Sequence, residues 1–185
     1  KYFKRPSARI AIVTVEVKIC GINDEASLRA AVTHGARFVG FVFYPRSPRA
    51  VKATVILPWT RSLSEAVIPV GLLVDPNDDD VADAVLSGVQ MLQLHGNESP
   101  ARLSAIRERT GLKVMKAIKV ATVEDLSLIP QFEPVADWLL FDAKPPVDRP
   151  ENLPGGNARA FDWEIMAGAR IRRPCSRPRQ CPGRG

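Results

Sequence analysis

Apolar residues in this chain come in short, nearly unbroken runs rather than in strict alternation. Six stand out: Val17-Lys18-Ile19-Cys20, Phe38-Val39-Gly40-Phe41-Val42-Phe43-Tyr44, Val70-Gly71-Leu72-Leu73-Val74, Met91-Leu92-Gln93-Leu94-His95, Lys113 to Val120, and Trp138-Leu139-Leu140-Phe141-Asp142. Runs of this length, rich in β-branched and aromatic residues, predict strands covered on both faces, as in a parallel sheet. Several end in a polar or reactive residue, which places that residue at the C-terminal end of its strand.

The stretches between the runs carry helix punctuation. Asn23 or Asp24 can cap a helix through Thr33, with Gly35 as its stop. After the loop Pro45-Arg46-Ser47-Pro48-Arg49 a helical region extends to about Ala66, with an interruption expected near Pro58. Asn77-Asp78-Asp79-Asp80 opens a helix through Leu86, where carboxylates suit the positive end of the helix dipole. Further helices are expected from Ser99 to Thr110, from Thr122 to about Ile129 and, beyond a Pro- and Gly-rich loop over Lys144 to Asn157, from about Ala158 to Ala167. Six strands each followed by a helix match the α/β unit of a TIM (β/α)8-barrel, and a doubly wound open sheet gives the same alternation. No dinucleotide-type glycine fingerprint follows any strand.

Charge divides the chain further. The sequence has 26 basic and 20 acidic residues, net +6, yet Arg170, Arg172, Arg173, Arg177, Arg179 and Arg184 lie in the last sixteen positions with no acid among them. The other 20 basic residues balance the 20 acidic ones, so the body has no net charge to attract nucleic acid. We divide the chain into an extension (1–16), a β/α domain (17–168) and a basic Arg/Pro-rich tail (169–185) expected to be disordered. Of three cysteines, Cys175 and Cys181 fall in the tail, leaving Cys20 in the regular pattern, which fits a reducing compartment. With no apolar run long enough to span a membrane and no signal peptide pattern, the expectation is a cytoplasmic protein.

The strand ends supply the candidate chemistry. Cys20 can act as a base only as thiolate, and otherwise is a small buried apolar group. Asp142 closes an apolar strand and is either a partly desolvated acid, able to donate a proton, or the first residue of a solvated loop. Arg49, with Arg46 nearby, offers a planar fork for a carboxylate or phosphate, though many loop arginines are merely solvated. His95 reads as a structural histidine, since no Cys/His spacing supports a metal site. Asp75, before Pro76, reads first as a turn residue.

Taken in order, Val17-Lys18-Ile19-Cys20-Gly21, Gly40-Phe41-Val42-Phe43-Tyr44 with Ser47-Pro48-Arg49, Val70-Gly71 with Val74-Asp75, Leu92-Gln93-Leu94-His95-Gly96 and Leu140-Phe141-Asp142 resemble the phosphoribosylanthranilate isomerase family. Pro154-Gly155-Gly156 and Phe161-Asp162-Trp163 also look like that family, so the resemblance covers about Val17 to Gly168. It implies a TIM barrel of tryptophan biosynthesis acting on a phosphosugar, N-(5-phosphoribosyl)anthranilate, by an Amadori rearrangement without cofactor or metal. By the same resemblance Asp142 would be the general acid, Cys20 the general base and Arg49 the partner of the anthranilate carboxylate.

The sequence departs from the family after Trp163. The family has two more strands, with Gly-Gly and Ser-Gly pairs whose amides would hold the substrate phosphate. Here the chain runs Ala169-Arg170-Ile171-Arg172-Arg173-Pro174-Cys175-Ser176 and on through Arg, Pro and Gly to Gly185, a composition expected to form no buried strand. The switch reads as a G+C-rich gene in the wrong frame, a reading contradicted if the flanking DNA codes in one continuous frame to Gly185. The competing expectation is an inactive barrel fragment that works as an interaction or nucleic-acid-binding module through its tail.

Overall fold

In a computed structural model, residues 15–144, 163–169, 171–172 and 174–176 are described. The elements are β1 (Lys18–Cys20), α1 (Glu25–Thr33), β2 (Phe38–Val42), α2 (Ala53–Ser62), β3 (Ile68–Leu73), α3 (Asp78–Leu86), β4 (Met91–Leu94), α4 (Pro100–Thr110), β5 (Lys113–Val120), a 3₁₀ turn (Val123–Leu128) leading into α5 (Ile129–Phe132), and β6 (Trp138–Ala143). A second 3₁₀ turn (Trp163–Gly168) and a two-residue β7 (Cys175–Ser176) follow. All seven strands pair in parallel, in sequence order. That order is the winding of a β/α barrel, and a doubly wound sheet would have reversed direction partway.

Two apolar layers hold the sheet. Alternate strand residues Val39, Phe41, Leu73, Leu92, Leu94, Ile118, Leu139 and Phe141 pack outward with Leu28, Ile56, Val81, Leu103 and Ile106 of the helices. The remaining positions, Phe38, Val70, Met91, Met115, Ala117 and Leu140, form a smaller inner cluster. Both faces of β2 to β5 are therefore dry over most of their length, which accounts for their unbroken apolar runs, whereas Ile19 of β1 is exposed.

Local chemistry sets the helix ends. Asp24 caps α1 by accepting from Ser27 N at 2.8 Å, and Gly35 follows with φ +79°. Asn77 and Asp80 exchange backbone bonds in a capping box at the start of α3. Ser99 caps α4, whose first residue is Pro100, and Gly111 ends it in the left-handed region. Pro58 does not interrupt α2, contrary to expectation. The helix runs through it because Ile56 and Thr60 are buried on either side, and Thr60 Oγ1 donates to Ser87 O at 2.7 Å.

The tail, expected to form no buried strand, contributes a two-residue strand, β7. Cys175 and Ser176 pair with Leu139 and Leu140, and Leu139 N donates to Pro174 O at 3.1 Å. Strand pairing needs backbone groups, not branched side chains, and a proline that cannot donate still accepts through its carbonyl. Cys175 is half-buried against the core together with Ala169 and Ile171. The expected extension up to Thr14, the Pro154-Gly155-Gly156 loop, the first half of the expected last helix and the tail beyond Ser176 lie outside the described residues.

Candidate active site

Cys20 closes β1, directly opposite Gly40 of β2 in the parallel register. The absence of a side chain at Gly40 makes room for two groups from β1: a Cβ there would lie 2.9 Å from Cys20 Sγ and 3.0 Å from Lys18 Nζ. Thiol and ammonium thus converge on one spot, within about 6 Å of each other. Lys18 and Cys20 share a face because they are two residues apart on a strand.

The next residue, Gly21, has φ +83°, and a Cβ there would run into the Arg49 guanidinium, 2.8 Å from Cζ. Only glycine suits both the conformation and that close approach. Arg49 Nη1 donates to Cys20 O at 3.3 Å, and the Arg49 backbone N donates to Ser47 Oγ at 3.2 Å. The guanidinium is therefore anchored at the mouth of β1 and remains exposed, with further N–H groups to offer.

Asp142 lies on β6, in register with Lys119 of β5. Its Oδ1 accepts from Ala143 N at 3.0 Å, and its Oδ2 stands 3.2 Å from His95 Nε2. The carboxyl group is only partly exposed, 16% by side-chain area, so it is the desolvated strand-end group rather than a free loop acid. His95 is buried, and its Nδ1 faces Gln93 Nε2 at 3.0 Å. The expectation for His95 as a structural residue omitted its contact with Asp142. Spacing shows only that Gln93 and His95, two apart, share one face, and it is the fold that brings Asp142 to His95.

A second buried polar group supports the loops above the strands. Glu98 and Lys116 form an ion pair at 2.6 Å, both almost wholly buried. Glu98 Oε1 accepts from the backbone N of Asp75 and of Gly96, each at 2.9 Å, while Lys116 Nζ also donates to Gly96 O at 2.8 Å. Burial pushes the Glu98 carboxyl up, but the Lys116 charge and hydrogen bond more than offset it and hold the group below its usual 4.5. Burial lowers Lys116 below its usual 10.5, and Glu98 only partly counters that. Asp75 is a turn residue, as expected, with φ +45° and its Oδ1 accepting from Asn97 N at 2.6 Å. No cluster of metal-ligating side chains occurs among the described residues.

Cys20 with Arg49, and Asp142 with His95, thus lie at the C-terminal ends of two parallel strands of one sheet. A parallel sheet wound in sequence order, with a thiol and a carboxyl group at its strand ends, defines the class: a β/α-barrel-type enzyme. The family model described as N-(5'phosphoribosyl)anthranilate (PRA) isomerase matches residues 17–174. The N-(5'-phosphoribosyl)anthranilate isomerase of Paracoccus denitrificans (strain Pd 1222) is 49% identical over 164 residues, covering 88% of this chain and 75% of that protein. Phosphoribosyl anthranilate isomerase from Thermotoga maritima superposes with a TM-score of 0.71 at 30% identity, over 83% of this chain and 70% of that one. A phosphoribosyl anthranilate isomerase solved with reduced 1-(o-carboxyphenylamino)-1-deoxyribulose 5-phosphate shares the fold at a TM-score of 0.61 and 24% identity, over 89% of this chain and 87% of that one. The chain belongs to the PRA isomerase family, and nothing in these likenesses favours a nucleic-acid-binding module.

Proposed function

We propose that this chain isomerises N-(5'-phosphoribosyl)anthranilate to 1-(2-carboxyphenylamino)-1-deoxyribulose 5-phosphate, the PRA isomerase step of tryptophan biosynthesis, with Asp142 as acid and Cys20 as base. The observation that carries this reading is the placement of both groups, on β1 and β6, at the same C-terminal end of one parallel sheet.

The chemistry divides naturally between them. Asp142 gives its proton to the furanose ring oxygen, the C1–O bond breaks, and the nitrogen lone pair forms the C1=N bond of a Schiff base. That cation acidifies the C2–H bond, and the Cys20 thiolate takes the C2 proton, giving an enolamine. Transfer of the enol proton to C1 yields the C2 ketone, so the reaction is an isomerisation with no net gain or loss. Arg49 would take the anthranilate carboxylate with the N–H groups not spent on Cys20 O, fixing the sugar between the two strand ends.

A base that works as a free thiolate belongs in a reducing compartment, and Cys20 and Cys175 are unpaired, so the reading carries a cytoplasmic location with it. No helix among the described residues is long and apolar enough to cross a membrane. The test is conversion of phosphoribosylanthranilate by the purified chain, followed by loss of substrate fluorescence. In D2O the product should carry deuterium at C1, delivered during the final tautomerisation, and turnover without C1 labelling contradicts proton transfer through a solvent-exchanged group.

A further inference from the structure

We propose that His95 is the positioning residue for Asp142, holding its carboxyl group through an Nε2–H···Oδ2 hydrogen bond whose direction is set by Gln93. The proposal rests on the reading of Asp142 as the acid given above.

Three observations carry it. His95 Nε2 lies 3.2 Å from Asp142 Oδ2, and His95 Nδ1 lies 3.0 Å from Gln93 Nε2. Both residues of the relay are almost wholly buried, His95 at 4% and Gln93 at 1% exposure, so water does not compete for these contacts. The strand between β4 and β6 contributes the small Ala117 to the inner cluster, which leaves room for an imidazole to reach from one to the other.

The orientation of the Gln93 amide sets the tautomer. With Gln93 Nε2 facing the ring and its Oε1 left without a hydrogen-bond partner among the described residues, the imidazole nitrogen facing Gln93 accepts and the ring proton sits on Nε2, aimed at Asp142. The reverse tautomer would turn the Nε2 lone pair onto a carboxyl oxygen. With Oδ1 held by Ala143 N and Oδ2 by His95, the carboxyl plane is fixed at both oxygens. As Asp142 passes its proton to the sugar ring oxygen it becomes a carboxylate, and the Nε2–H bond strengthens as that charge develops. The His95 proton stays on Nε2 throughout. An interaction that is stronger in the transition state than in the ground state raises kcat and leaves KM nearly unchanged.

Two measurements test this. In a His34→Asn background, which removes the other histidine of the sequence, long-range ¹H–¹⁵N spectra of the full chain should show His95 as one neutral tautomer protonated at Nε2. A ring protonated at Nδ1, or one mixing both tautomers, overturns the proposal whether or not the chain turns over. In turnover, His95→Leu should lower kcat about 10–100-fold with KM within about twofold, and His95→Gln, whose amide can replace the Nε2–H donor, should recover most of the loss. His95→Leu at the parent kcat, or His95→Gln falling as far as His95→Leu, overturns it. If Asp142→Asn is inactive while His95→Leu matches the parent, the positioning role alone fails. If Asp142→Asn keeps the parent kcat, the acid reading fails and the proposal with it.

Discussion

Gly40 leaves the space that the Cys20 thiol occupies: a Cβ on Gly40 would lie 2.9 Å from Cys20 Sγ and 3.2 Å from Cys20 Cα. Contacts this short between a methyl group and a strand-end side chain force one of them to move. Gly40→Ala is therefore expected to turn the thiol away from the rim, lowering kcat by about tenfold or more while costing about 1–3 kcal/mol in denaturant unfolding. Steady-state kinetics beside urea melts check it, and an unchanged kcat would show that the thiol direction set by Gly40 is irrelevant to turnover.

Lys18 meets the same spot from two residues earlier on β1, with its Nζ 3.0 Å from where that Cβ would be. An ammonium that converges on the same spot as the thiol orients the reacting part of the substrate there, so Lys18→Met should slow the proton abstraction from C2 more than it weakens substrate binding. The expected result is a kcat loss of about tenfold, with Lys18→Arg recovering part of it.

Arg49 is exposed and tied to Cys20 O by one N–H. Because its proposed partner, the anthranilate carboxylate, is present in both ground and transition states, its loss should appear mainly in KM. Arg49→Ala should raise KM about tenfold or more, and Arg49→Lys, which keeps charge but loses the planar fork, should fall between. A large kcat loss at unchanged KM would assign Arg49 to the chemical step instead.

The buried Glu98 and Lys116 pair ties the turns after β3 and β4 to β5. Removing one partner leaves an uncompensated buried charge, so Lys116→Met should cost about 3–5 kcal/mol, and Lys116→Met with Glu98→Leu should cost less than that single change. The Glu98 carboxyl titrates lower in the folded chain than its usual 4.5, so its contribution is fully present above that pH and is lost as pH falls through the folded value. Denaturant melts should show stability declining below about pH 4.5, with a shallower decline in the double variant.

The strands were legible from the sequence because a parallel sheet covered on both faces leaves unbroken apolar runs. β5 was read over Lys113–Val120, the span it occupies. Helix starts were readable to within a residue: Asn23 or Asp24 was expected to cap the first helix, where Asp24 does, and helices were expected to open at Asn77 and Ser99, where those side chains cap the first turn. What pattern could not reveal was pairing across strands. Lys116 looks like any surface lysine until Glu98 is found beneath it, and His95 looks structural until β6 brings Asp142 to 3.2 Å. β7 was missed because its two residues pair through backbone groups that composition does not display.

The central claim is that Cys20 and Asp142 divide the proton transfers of the isomerisation. Turnover of phosphoribosylanthranilate by the parent chain, Cys20→Ala and Asp142→Asn, followed by fluorescence loss, tests it directly. The account predicts a parent that turns over and two variants reduced by about 10²-fold or more in kcat. Either variant retaining the parent kcat would contradict it.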